Sequence, residues 1–190
     1  MMMNTRHMSI LSATAVALLS LSGAVQADGQ CSNATLRGAY GFLGHGEILG
    51  LLDSNNVLHP FASASILDDV ALVTFDGKGT FTRTDFGSIN GVPKGGQTTF
   101  NPYQGGTYTV NADCTGTMSV IYTAGGPVPA NVETDLNIVV TDDGTQVESV
   151  VYRAFVPFAQ SAPGYDCASN CVQGVQETFE GKKVSVHGLR

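Results

Sequence analysis

The sequence predicts an all-β domain, an antiparallel up-and-down β-barrel of about eight strands, with a two-sheet β-sandwich as the alternative. Three observations carry this reading. No segment sustains the 3.6-residue apolar period of an amphipathic helix. The segments between turns are rich in Thr, Val, Gly, Phe and Tyr, residues that suit a pleated surface. Turn chemistry recurs at short intervals, most clearly at Asp76-Gly77, at Asn111, Asp113 and Gly116, and at Asp143-Gly144.

Taken in order, residues 36–48 form the first strand, and Gly38, Gly41, Gly44 and Gly46 permit the strong bending of a barrel corner. Residues 61–66 and 70–75 read as two strands broken at Asp68-Asp69. Asp76-Gly77-Lys78-Gly79 turns the chain into a strand over 80–86, and Asn90-Gly91 marks the next turn. Residues 94–104 are polar and loop-like, with a short strand at 98–100. Residues 105–122 form a hairpin with Cys114 in its turn. The Gly/Pro-rich 124–130 is a loop, because no strand interior tolerates it. Val132, Thr134, Leu136, Ile138 and Val140 alternate with Glu133, Asp135 and Asn137, the pattern of a half-buried strand. Asp142-Asp143-Gly144 leads into a strand over 145–155, residues 157–170 are irregular, and 172–179 and 182–186 close the fold. The three Asp-containing turns stand 37 and 30 residues apart, too unevenly for a repeat array but suited to a meander of sequence neighbours. Closing such a meander removes its exposed edges.

The N-terminus stands apart from this pattern. Arg6 and His7 precede an uncharged apolar run over residues 10–25, and Val25-Gln26-Ala27 supplies small residues for cleavage. Residues 1–27 therefore read as a secretory signal peptide, and residues 28–190 as a single domain of 163 residues. A run of sixteen residues falls short of the ~20 that a spanning helix needs, so no membrane association is expected after cleavage. Residues 28–190 carry eight basic against sixteen acidic residues, a net charge of −8, which excludes phosphate-backbone binding as a main function. The four cysteines, Cys31, Cys114, Cys167 and Cys171, are an even number in an exported chain, and disulfides are expected. The short spacer pairs Cys167 with Cys171, which leaves Cys31 for Cys114. The expected location is secreted or periplasmic.

Cys31-Ser32-Asn33-Ala34-Thr35-Leu36-Arg37-Gly38-Ala39-Tyr40, then Thr74-Phe75-Asp76-Gly77-Lys78-Gly79, then Gly106-Thr107-Tyr108-Thr109-Val110-Asn111-Ala112-Asp113-Cys114-Thr115-Gly116-Thr117, carry a resemblance. In order and spacing, from Cys31 to about Tyr152, the chain resembles a family of small exported bacterial proteins of unknown function. That family is similar in pattern to calycin-type barrels, the broad group around lipocalins and allene-oxide-cyclase-like barrels. The resemblance implies the barrel and assigns no catalytic or binding residue.

Because barrel strands alternate inward and outward, a polar residue on an apolar face is the informative kind. Arg83 shares a face with Phe81 and Asp85, and Arg153 shares one with Val147, Val151 and Phe155. Two arginines so placed suit the carboxylate or enolate of a small, partly apolar ligand. The plainer reading pairs Arg83 with Asp85 or a cross-strand acid and leaves Arg153 near the barrel mouth. Tyr108 and Tyr122, like Tyr40 and Tyr152, lie on strands, where they either line a pocket or sit in the core with one satisfied hydroxyl. His45 and Glu47 are two apart on the first strand, hence on one face. Facing a cavity, they suit general acid–base work in a cofactor-independent isomerisation or cyclisation; past the strand end, both are merely solvated. His59 and His187 have no neighbours at metal-ligand spacing, so no metal site is proposed. No nucleophile elbow, phosphate-binding loop or dinucleotide fingerprint is present, and no cofactor is implied. The expected function is binding of a small, partly apolar ligand in the lumen. A lumenal isomerase or cyclase, or a structural or surface-interaction protein with a filled barrel, are the alternatives. Oligomeric state is not legible.

Overall fold

Eight strands close into one antiparallel barrel in the computed structural model, which describes residues 31–185. They are β1 (Arg37–Leu52), β2 (Leu58–Asp76), β3 (Thr80–Ile89), β5 (Asn101–Val110), β6 (Thr115–Tyr122), β7 (Glu133–Thr141), β8 (Gln146–Val156) and β11 (Cys171–Lys183). Each pairs with its sequence neighbour in the barrel, and β11 pairs with β1 to complete the ring. The short β4 (Val92–Pro93) folds back to pair antiparallel with the end of β3, while β9 (Gln160–Ala162) and β10 (Tyr165–Cys167) form a separate two-stranded ribbon. The expected signal peptide, His187 and the expected strand end at Val186 lie outside the described residues.

The inward set of each strand follows from its alternation. On β2, Leu67, Asp69, Ala71, Val73 and Phe75 are buried while Asp68, Val70, Leu72 and Thr74 face water. The expected break at Asp68-Asp69 does not occur, and β2 runs unbroken for 19 residues. Its two acids point opposite ways, Asp68 to His45 on the outside and Asp69 to cations in the lumen, so neither interrupts the ladder. Likewise the two expected closing strands are one, β11, and the irregular 157–170 contains the β9–β10 ribbon.

The two ends of the barrel differ. Tight turns gather at one end: β2–β3, β5–β6 and β7–β8. Asp76 Oδ1 accepts the backbone N–H groups of Lys78, Gly79 and Thr80 at 2.7, 3.0 and 3.0 Å. Those donors hold its carboxyl down to about 2. The N-terminal 3₁₀ turn Asn33–Thr35 plugs this end. Asn33 Oδ1 accepts Val110 N–H at 2.7 Å, and the Tyr40 hydroxyl donates to the Gly144 carbonyl. Cys31 is joined to Cys114 across the plug, and Cys167 to Cys171 near the other end. Above the plug lies an aromatic floor, with Phe75 packed edge-on against Tyr40 and Tyr108 at 5.2 and 4.9 Å between ring centres. The other end is framed by the longer, irregular connections 90–100, 123–132 and 157–170.

One irregularity sets the facing of a predicted site residue. Asp135 opposes Arg153, but the next residue, Leu136, opposes Val151, so β8 carries Tyr152 as an extra residue, a β-bulge. The inward series Val147, Ser149, Val151 therefore restarts at Ala154 and Val156, and Arg153 turns to the outside.

Candidate functional site

The floor fills only the plugged half of the lumen. Above it lies a cavity of about 350 Å³. Phe42, Val73, Met118, Val120, Leu136 and Ala154 contribute apolar wall. Gly95, Val128, Pro129 and Phe158, from the irregular connections, frame its mouth.

One side of the wall is charged. Arg83 and Asp85 project inward from β3, Asp69 from β2 and Tyr122 from β6, and Lys94 reaches in from the turn after β4. Arg83 Nη1 donates to Asp85 Oδ2 at 2.9 Å and to Gln104 Oε1, and Nη2 donates to Asp69 Oδ1. Lys94 Nζ donates to Asp69 Oδ2 at 2.7 Å and to Asp85 Oδ2 at 2.6 Å. The Tyr122 hydroxyl donates to Asp85 Oδ2 at 2.6 Å, and Gln97 Nε2 to Asp85 Oδ1 at 3.1 Å. Gly87 makes this close assembly possible, because a Cβ there would stand 2.8 Å from Asp69 Oδ2.

Burial opposes ionisation of Asp85, but Arg83 and Lys94 outweigh it and hold the carboxyl below the usual range. Burial is the larger influence on Asp69, whose carboxyl is raised despite the same two cations. Burial also disfavours the charges of Arg83 and Lys94; surrounding acids and Tyr122 outweigh it and raise both. Tyr122 is raised by its burial. Such a network is a weak stabilising device, since apolar side chains of similar volume commonly do as well. Its worth lies in placing fixed charge beside an apolar cavity.

Glu177, on β11, differs from these residues. Its side chain lines the cavity and is 6% exposed, yet it takes part in no ion pair or side-chain hydrogen bond among the described residues. Burial raises its carboxyl; Lys94 pulls it down, Asp69 pushes it up, and it stands at about 7. Gly46, opposite it on β1, leaves the space, since a Cβ there would lie 2.5 Å from Glu177 Cγ.

The predicted site residues separate on this geometry. Arg83 and Tyr122 come together in the lumen, with Arg83 meeting both Asp85 and the cross-strand acid Asp69. Tyr108 lies in the floor, its hydroxyl 3.0 Å from the carbonyls of Asn33 and Leu36, away from the cavity. Arg153 is outside, paired with Glu133 at 3.3 Å and Asp135 at 3.0 Å, because the bulge shifts its register. His45 and Glu47 do share a face, but it is the outer one, since Tyr40, Phe42, Gly44 and Gly46 take the inward positions of β1. His45 Nδ1 lies 2.7 Å from Asp68 Oδ1 in solvent. Asp69, Lys94, Gln97, Gln104 and Glu177 are the residues that sequence reasoning missed. Two of them had a signal: Asp69 sits among Leu67, Ala71 and Val73, and Glu177 between Val175 and Phe179, each an acid on an apolar period-two face.

No family model matches this chain, and no curated protein or solved structure matches it.

Proposed function

We propose that this protein binds one small, partly apolar molecule in the barrel lumen, in an oxidising compartment outside the cytosol. The carrying observation is the cavity of about 350 Å³, within the range typical of small-molecule sites, with apolar wall on most sides and polar groups converging on one. Gly46 and Gly87 make room for Glu177 and for the Asp69–Lys94 pair on that wall, which brings buried polar groups to the edge of an apolar space. The two disulfides suit secretion or a periplasmic location. The test is a fluorescence titration with N-phenyl-1-naphthylamine, a neutral apolar dye that brightens on leaving water. Saturable, one-to-one enhancement is expected, and it is lost in Ala154→Phe, which fills the cavity from β8. Absence of saturable binding, or binding indifferent to Ala154→Phe, contradicts the proposal.

Glu177 supports a second reading. A carboxyl near neutrality beside an apolar cavity suits proton shuttling in a cofactor-independent isomerisation or cyclisation. Glu177→Gln then abolishes turnover of any substrate found, and retained turnover removes Glu177 from that role.

A further inference from the structure

Resting on the lumenal-binding reading, we propose that the lumen selects molecules that carry a protonated amine at the end of an apolar body, with Glu177 as the counter-ion. Three features lead there. The lumenal cations are already occupied: Arg83 donates to Asp69, Asp85 and Gln104, and Lys94 to both aspartates. A ligand carboxylate would have to displace a buried acid to reach either of them, so the anion site that two lumenal arginines would have made does not exist. Acids also outnumber cations in the cluster, with Asp69, Asp85 and Glu177 facing Arg83 and Lys94. The third acid is the one without a partner among the described residues, more than nine-tenths buried and on the cavity wall.

An ionised carboxylate held there without a partner is costly, and a cation brought in by the ligand removes that cost while gaining a charge-assisted hydrogen bond. Away from the charged groups the cavity asks for hydrocarbon, with Phe42, Ile48, Val156 and Phe179 among its lining. An excess of acid over the whole exported domain further favours approach of cations over anions.

The selection depends on pH. The titratable groups set around Glu177 are Asp69 on β2, Arg83 and Asp85 on β3, Lys94 in the following turn, Tyr122 on β6 and Glu133 at the mouth on β7. The neighbouring strands present Tyr40, Phe42, Gly44 and Gly46 (β1) and Val147, Ser149, Val151, Ala154 and Val156 (β8) inward; of these only Tyr40 titrates, and its hydroxyl is bonded to the Gly144 carbonyl in the floor. Lys94 and Arg83 remain charged, and Tyr122 neutral, across the accessible range. Glu177 gains its negative charge as pH rises through neutrality, and amine preference rises with it.

The experiment displaces bound N-phenyl-1-naphthylamine with 4-phenylbutylamine, 4-phenylbutan-1-ol and 4-phenylbutyrate, which share one apolar body and differ in the polar end. At about pH 8 the amine is expected to compete about tenfold or more better than the alcohol, the worth of one charge-assisted hydrogen bond, and the carboxylate worst. The amine-to-alcohol ratio falls toward one at about pH 5.5, where Glu177 is neutral, and in Glu177→Gln at either pH. Dye binding with equal competition by amine and alcohol, or with the carboxylate strongest, overturns the amine inference and leaves lumenal binding standing. A protein that takes up neither the dye nor any of the three compounds loses the lumenal reading, and the inference falls with it. The pH series needs no variant, so a poorly folding Glu177→Gln does not remove the test.

Discussion

Replacing Glu177 by Gln should stabilise the ligand-free barrel, and by an amount that grows with pH. Gln has the shape of the protonated acid without its titration. In the folded chain the carboxyl stands at about 7 against an ordinary 4.5, chiefly because burial disfavours its charge. A folded value above the unfolded one means that the folded state holds the proton more tightly. The stabilising linkage is therefore full below about pH 4.5 and is lost as pH rises through about 7. The gap of about 2.5 pKa units, at about 1.36 kcal/mol each, makes the loss about 3 kcal/mol by pH 8. Urea unfolding of both proteins, without ligand, at steps from about pH 4.5 to 8 reads this directly. The two should coincide at the acid end, and Glu177→Gln should lead by about 3 kcal/mol at the alkaline end, or about 6–12 °C in melting temperature for a domain of this size. Parallel pH profiles would show that Glu177 ionises as easily folded as unfolded, and the account of a partnerless buried carboxyl would be wrong.

Arg83→Met strands Asp69 and Asp85 with only Lys94 between them, and should cost about 3–5 kcal/mol in urea unfolding at neutral pH; a cost under about 1 kcal/mol contradicts the network described. Tyr108→Phe removes a hydrogen bond to the plug and should lower stability by about 1 kcal/mol while leaving dye affinity unchanged, because Tyr108 does not reach the cavity; weakened dye binding would return Tyr108 to the site. Replacing Cys31 and Cys114 together by Ser should cost about 4 kcal/mol, against about 2 for Cys167 and Cys171, since the first link closes the far longer loop, and equal losses in urea unfolding would contradict that ordering.

Most of the barrel was legible because its signals are local. Asp76-Gly77, Asp113 to Gly116 and Asp143-Gly144 announce the turns through their own conformational chemistry, and period-two patterning supplies the strands. What failed depended on partners far along the chain. Asp68-Asp69 looks like a strand break until His45 appears on one side and Arg83 with Lys94 on the other. Arg153 looks inward until Tyr152 bulges, and a bulge leaves no reliable mark in a run such as Val150-Val151-Tyr152-Arg153. His45 and Glu47 were correctly placed on one face, but the choice of face rested on Gly44 and Gly46 being lumenal, where their missing side chains admit Phe179 and Glu177. Lys94 gave no signal, because a lysine in a Gly-rich turn is ordinarily solvated. The site was thus half visible: Arg83, Asp85 and Tyr122 from pattern, Asp69 and Glu177 as acids on apolar period-two faces whose signal went unread, and Lys94, Gln97 and Gln104 only from closure of the ring.

The lumen carries its own reporter. Met118 lines the cavity, and it is the one methionine beyond residue 27; the other four lie at residues 1, 2, 3 and 8. A chain with ¹³C-labelled methionine methyl groups therefore yields one resonance from inside the barrel. Titrated with N-phenyl-1-naphthylamine, that resonance should shift progressively and saturate at one dye per chain. A Met118 signal that stays in place while the dye brightens would put the dye on the outer surface and contradict the claim that this barrel exists to hold a small molecule.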